Sequence, residues 1–192
     1  MTMAGEAGQA TPARPVRAGR LLLATAVLAV VVIAADQATK YWAVTTLFAR
    51  DFGDPALFAG LPPRAIEVTG FFNWVLVGNT GVSFGMFQGA GTWVFILIAL
   101  IIAAFMVGWL LRSGRRWLIG PVGLIIGGAV GNVIDRFRFG AVVDFIQLHA
   151  AGYYFPAFNV ADSAISLAMV VVVAEALFGP KEQDGAKGAK GG

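Results

Sequence analysis

Four long apolar stretches, at residues 21–35, 92–111, 117–134 and 160–178, alternate with polar, turn-rich segments. Each is long enough, or nearly so, to cross a hydrocarbon core of about 30 Å. The acidic residues that touch these stretches, Glu175 apart, fall toward one end. At about 1.5 Å of rise per helical residue, Arg20 to Asp36 spans about 24 Å. On the same rise, Arg116 to Asp135 and Lys181 back to Asp162 each span about 28 Å. Asp36, Asp135 and Asp162 therefore meet near one membrane boundary, opposite the basic ends. A carboxylate at that depth is costly and reads by default as functional.

The segment between the first two spans, residues 50–91, is too long and patterned for a bare linker. Ile66 and Val68 alternate with Glu67 and Thr69, and residues 71–77 are rich in aromatic and β-branched side chains. This predicts short strands or a hairpin on the membrane surface. Its aromatics, Phe71, Phe72, Trp74, Phe84 and Phe87, suit the headgroup layer. The expected fold is thus a membrane all-α protein of four transmembrane helices with a small β element. Residues 1–19 read as a disordered leader, 20–178 as one four-helix membrane domain, and 179–192 as a flexible tail. The first stretch also fits a cleavable signal peptide. Against that, its helical pattern continues past Asp36 through Tyr41, Trp42 and Val44.

Composition agrees with the spans. Hydrophobic residues make up 58% of the chain and charged ones only 13%, which excludes an ordinary soluble domain. The positive charge sorts by side and forms no nucleic-acid patch. Arg14, Arg17, Arg20, Arg112, Arg115, Arg116, Lys181, Lys187 and Lys190 flank one set of ends; Lys40, Arg50, Arg64, Arg136 and Arg138 flank the other. The excess predicts both termini in the cytoplasm and the acidic cluster facing outward.

With no cysteine, disulfides, thiolate catalysis and Cys-based metal sites are excluded. The single His149 rules out a multi-histidine metal site, disfavours a Ser-His-Asp triad, and reads as an interfacial polar residue. Carboxylates, amides and hydroxyls remain for chemistry. Asn79, in the run Gly78-Asn79-Thr80-Gly81, is either part of a glycine-requiring turn or an amide that orients a peptide backbone. The glycines of the third span, Gly120, Gly123, Gly127, Gly128 and Gly131, read as close-packing faces. Asp135 beside Arg136 reads as an interfacial ion pair, whereas the deeper Asn132 needs a hydrogen-bonding partner. Asn159 and Asp162 are three apart and share a side of the fourth helix's first turn. Asp162 is either a helix N-terminal charge or part of a site. Asp144, in the apolar run Val142-Val143-Asp144-Phe145, lies within reach of the same helix end. Two carboxylates in a partly dry site separate their titrations, so one serves as base and the other as acid. That pairing can activate water on a peptide carbonyl.

Five motifs, in order, resemble those of the lipoprotein signal peptidases, or signal peptidase II family. They are Asp36-Gln37-Ala38-Thr39-Lys40; Asn79-Thr80-Gly81 with Phe84; the run from Gly127 through Asn132 to Asp135-Arg136; Val142-Val143-Asp144-Phe145; and Phe158-Asn159-Val160-Ala161-Asp162. The resemblance covers about residues 20–178 and implies an aspartic endopeptidase of the bacterial cytoplasmic membrane. Such enzymes cut prolipoproteins just before the diacylglyceryl-modified cysteine and bind the antibiotic globomycin. Carried over, Asp144 and Asp162 form the catalytic dyad, and Asn79, Asn132, Arg136 and Asn159 support it or contact substrate. Asp36, Lys40, Gly128 and Asp135 take structural places. The resemblance calls for membrane lipids as surroundings, no metal or cofactor, and a monomer. The competing class is a small transporter, but transport sites favour the midplane between repeated halves. Here every midplane is apolar and no repeat is visible. A plain membrane anchor would leave the polar cluster unexplained.

Overall fold

The computed structural model describes residues 15–60, 65–81 and 90–179. The leader through Arg14, Arg64, Phe84, Phe87 and the tail from residue 180 lie outside the described residues. Four helices fall on the four apolar stretches: α1 (Pro15–Trp42), α2 (Ala90–Ser113), α3 (Ile119–Phe139) and α4 (Val160–Phe178). All four are long and apolar enough to cross a membrane.

The helices outrun the apolar windows because the polar residues at their ends find partners within the fold. α1 continues unbroken through Asp36 and Lys40 and finishes in a π-helical turn, Ala43–Leu47. α3 follows a short 3₁₀ turn, Arg116–Leu118, and runs past Ile134 to Phe139. It stops at Gly140, whose φ of 70° is the left-handed cap that glycine adopts without strain.

α3 is the central helix: α1 and α4 pack closely along it, and α2 covers part of what remains. Its glycines make the close approach possible. A Cβ on Gly127 would sit 2.8 Å from the Ala29 carbonyl oxygen, and one on Gly128 would sit 2.6 Å from that of Ala161. The expected small-residue faces are found, but only on part of the run, since Gly120 has open space around it. At the basic ends of the helices, Leu21, Leu110, Leu118, Val122 and Ala168 close an apolar core. The remaining faces stay apolar and exposed, as a lipid solvent requires; Leu100 of α2 and Val170 of α4 are examples.

The expected hairpin is present as β1 (Ala65–Thr69) and β2 (Phe72–Asn79). It is half of a larger unit. The run Val142-Val143-Asp144-Phe145, not assigned to an element from sequence, opens a third strand, β3 (Val142–Ala150), followed by the short β4 (Tyr153–Tyr154). The four make an antiparallel sheet in the order β1-β2-β3-β4. Within it Val77 lies opposite Asp144 and Asn79 opposite Val142. A second apolar core, with Val44, Phe48, Phe52, Leu57, Leu76 and Val143, seats the sheet on the end of α1.

Candidate active site

The C-terminal ends of α1 and α3, the N-terminus of α4 and the paired strands β2 and β3 converge on one polar cluster. α4 opens with a capping box: the Asn159 side chain accepts from the Asp162 N–H at 2.9 Å, and the Asp162 carboxylate accepts from the Asn159 N–H at 3.2 Å. Asp162 is thus a helix-terminal charge, and it is also drawn into the cluster. Asn132 Nδ2 donates to Asp162 Oδ1 at 2.8 Å.

Asp144 is buried on β3 and held from two sides. Asn79 Nδ2 donates to its Oδ2 at 3.0 Å, and Asn159 Nδ2 to its Oδ1 at 2.8 Å. Burial is the main influence on its carboxyl and pushes it up to about 7; the hydrogen bond from Asn79 pulls the other way, and the nearby Asp162 adds to the rise. One residue therefore joins the two carboxylates: Asn159 reaches Asp144 with its side chain and Asp162 with its backbone N–H. The Asn79 segment is a turn as well, because its Oδ1 accepts from the Gly81 N–H at 2.9 Å. Both readings of Asn79 are satisfied together.

Beneath the two carboxylates lies a buried ionic layer. Asp135, expected to pair with its neighbour Arg136, takes Lys40 instead, at 2.7 Å. Adjacent residues on a helix point about 100° apart, and α3 turns Asp135 inward toward α1 while Arg136 is half-buried. Arg136 Nη1 donates to the Asn132 carbonyl oxygen, and the guanidinium lies within the electrostatic reach of Asp162, Asp144 and Asp135. Lys40 also pairs with Asp36 at 2.7 Å, and all three charged groups are fully buried. Gln37, which the sequence pattern did not mark as a site residue, donates to Asp135 Oδ1 at 2.9 Å. The cause of its role is the α1–α3 contact, which no local spacing reveals. His149 bonds Asn73 and stacks on Tyr154, on the wall of the cavity that Asp162 also lines. Among the described residues no cluster of three or more His, Cys, Asp or Glu is arranged to hold a metal.

A cavity of about 960 Å³ opens beside Asp162 and Asn79. Ser163 and Ser166 of α4 form one side, and Phe71, Tyr153, Tyr154, Phe155 and Phe158 form an aromatic wall. A smaller cleft of about 200 Å³ lies between α2, α3 and α4; its lining is apolar except for Asn132 and Arg136.

Four membrane-length helices, with one carboxylate on α4 lining an open cavity and a second beside it on β3, define a multi-pass membrane protein with a site suited to hydrolysis. The sequence model of signal peptidase (SPase) II matches residues 28–178, and the chain belongs to that family, whose peptidases are of the aspartic type. It is similar to the lipoprotein signal peptidase of Xylella fastidiosa, at 43% identity over 80% of this chain and 88% of that one. The lipoprotein signal peptidase of Thermodesulfovibrio yellowstonii is 40% identical over 79% and 93% of the two chains. A bacterial membrane enzyme solved by the in meso method at 1.9 Å shares the fold with a TM-score of 0.64 and 32% identity, covering 84% of this chain and 95% of that one. The function is that of a lipoprotein signal peptidase, and a lipoprotein substrate follows from it.

Proposed function

We propose that the enzyme cleaves the signal peptide from diacylglyceryl-modified prolipoproteins just before the lipidated cysteine, using Asp144 and Asp162 as an aspartyl dyad. The observation that carries this reading is the bridge of Asn159 between both carboxylates, of which Asp162 lines the large cavity. Asp144, raised to about 7 by burial, is about half protonated at neutral pH, and its protonated form serves as the acid. Asp162 takes a proton from water as its oxygen attacks the scissile carbonyl carbon, and Asp144 donates a hydrogen bond to the carbonyl oxygen. When the C–N bond breaks, the proton goes to the leaving amine. Asn132 and Asn159 hold the carboxylates in place, and Arg136 offsets negative charge nearby. The step needs no metal or cofactor.

The cleft between α2, α3 and α4 supports a substrate that arrives from the bilayer, since an apolar chain lying in it ends at Asn132 and Arg136. The site then faces the extracytoplasmic side of the bacterial cytoplasmic membrane, with both termini in the cytoplasm and the protein working as a monomer. Globomycin-type inhibitors would occupy the same cavity. The test is purified Asp144→Asn and Asp162→Asn in detergent with a lipidated prolipoprotein and a strong chelator present. Each amide keeps the shape but cannot exchange the proton, so cleavage should fall by at least about 10²-fold, the usual contribution of acid–base catalysis. Activity within about threefold of wild type in either variant, against that expected loss, would remove the dyad. Loss of wild-type activity to the chelator would argue for a metal.

A further inference from the structure

The ionic layer under the dyad has a symmetry that its charges alone do not require. Lys40 Nζ contacts Asp36 Oδ2 at 2.7 Å, Asp135 Oδ2 at 2.7 Å and Asn132 Oδ1 at 3.2 Å. Each carboxylate then grips one backbone N–H. Asp36 Oδ1 accepts from Ala161 at 3.0 Å, and Asp135 Oδ2 accepts from Val143 at 3.1 Å. Ala161 and Val143 are the residues immediately before Asp162 and Asp144. The third contact, Asn132, donates to Asp162 itself. One ammonium thus sits at the junction of three hydrogen-bonded paths, two of them ending on the backbone that carries a reacting carboxylate.

We infer that Lys40 is a positioning residue for catalysis, setting the separation of Asp144 and Asp162 through Asp36, Asp135 and Asn132. The elements it ties together differ in kind. Asp162 rides on a helix seated against α3, whereas Asp144 rides on a strand whose register is fixed by β2. β3 and the start of α4 are joined directly by the bridge between Ile146 and Phe158 and by Asn159, whose amide donates to the Val143 carbonyl oxygen and to Asp144. A fully buried ammonium with short contacts to both anchors adds a second tie between them, from the side of α1 and α3. With the Asn159 amide it also fixes Asn132: both donate to Oδ1, so Nδ2 is turned toward Asp162. A purely stabilising ion pair would need only one of the two carboxylates and neither N–H.

The inference rests on the dyad reading and can fail separately from it. Lys40→Met alone would leave two carboxylates buried without their cation, so the informative variants remove one charge of each sign: Lys40→Met/Asp135→Asn and Lys40→Met/Asp36→Asn. Both are assayed on the lipidated substrate well below their melting midpoints, so that unfolded enzyme contributes nothing to the rate. A misplacement of about 1 Å at reacting groups costs on the order of 10²-fold. The expected result is a folded double variant with kcat reduced by about that factor and KM within about threefold of wild type, since the cavity walls are untouched. A folded double variant with kcat within about threefold of wild type, far from the misplacement cost, would overturn the positioning role. So would failure of both variants to fold, which would make Lys40 structural only. If instead Asp144→Asn or Asp162→Asn kept its activity, the dyad itself would fall.

Discussion

Asp144 is buried on a strand, yet both of its oxygens accept hydrogen bonds from asparagine amides, and this balance sets its proton affinity. Burial disfavours the carboxylate and raises the group to about 7, while the amide of Asn79 favours the ionised form. Asn79→Ala removes the largest opposing influence, leaving those of Lys40 and Asn159, so the Asp144 carboxyl should rise further. With Asp144 as the acid, activity is present below its pKa and lost as pH increases through it. The alkaline limb of kcat/KM, expected near 7 in wild type, should therefore move to higher pH in Asn79→Ala. A limb that stays in place or moves downward would show that Asp144 is not the group observed. Asp135 belongs to the same scale but to a different class. It is fully buried against Lys40 and also receives the Val143 N–H. Breaking a buried pair by removing one partner typically costs about 3–5 kcal/mol. Asp135→Asn should accordingly lower yield and melting temperature markedly, with residual cleavage in the folded fraction. A well-expressed, thermally normal Asp135→Asn enzyme without activity would place this residue among the reacting groups.

At the scale of elements, the site depends on how closely α3 approaches α1 and α4. A Cβ on Gly131 would lie 2.6 Å from Asp36 Oδ2, and one on Gly128 would lie 2.6 Å from the Ala161 carbonyl oxygen, one residue before Asp162. Both contacts sit beside the ionic layer, so forcing the helices apart there disturbs the site directly. Gly128→Ala and Gly131→Ala should each destabilise by about 1–3 kcal/mol, the usual cost of overpacking, and should reduce cleavage. Gly120, on the same helix with nothing within 4 Å, provides the control. Gly120→Ala should be neutral or stabilising by up to about 1 kcal/mol, because alanine is the better helix former. Thermal melts of the three variants in detergent check this; equal losses at all three positions would mean that the helix contacts lie elsewhere. Arg138 ties in the segment that follows α1. Its guanidinium lies over Phe52 and Phe139 and donates to the Phe52 carbonyl oxygen at 2.6 Å.

The whole molecule is polarised along its length. An apolar core closes one set of helix ends, the ionic layer and dyad occupy the other, and the sheet lies beyond them. The charge excess at the apolar-core ends predicts that those ends face the cytoplasm. The chain has no cysteine, so single introduced cysteines report cleanly. With an impermeant thiol reagent on intact cells, Ser113→Cys should stay unlabelled, while Tyr153→Cys, on the exposed β4 strand, should label. Labelling after permeabilisation should make the two equal. The reverse pattern on intact cells would invert the orientation and put the dyad on the cytoplasmic side.

Apolar length, the displacement of Asp36, Asp135 and Asp162 toward one end of each span, and the alternation in residues 65–69 were legible in the sequence because they are local. Length sets whether a helix can cross, depth follows from rise per residue, and strand pattern has a period of two. That Asn159 and Asp162 share a side of the fourth helix's first turn was legible for the same reason, since they are three residues apart; their reciprocal capping bonds were not read from the sequence. What the tertiary structure alone decided were the long-range choices. β3 became a strand only by pairing with β2, and that register brought Asn79 to Asp144 across 65 residues of chain. Asp135 chose Lys40, 95 residues away, over the adjacent Arg136, because the glycine contacts of α3 press its inward face against α1. Spacing along a chain specifies which side of an element a residue occupies. Which residue of another element meets it there depends on how the elements pack, and the partners of both dyad carboxylates were settled at that level.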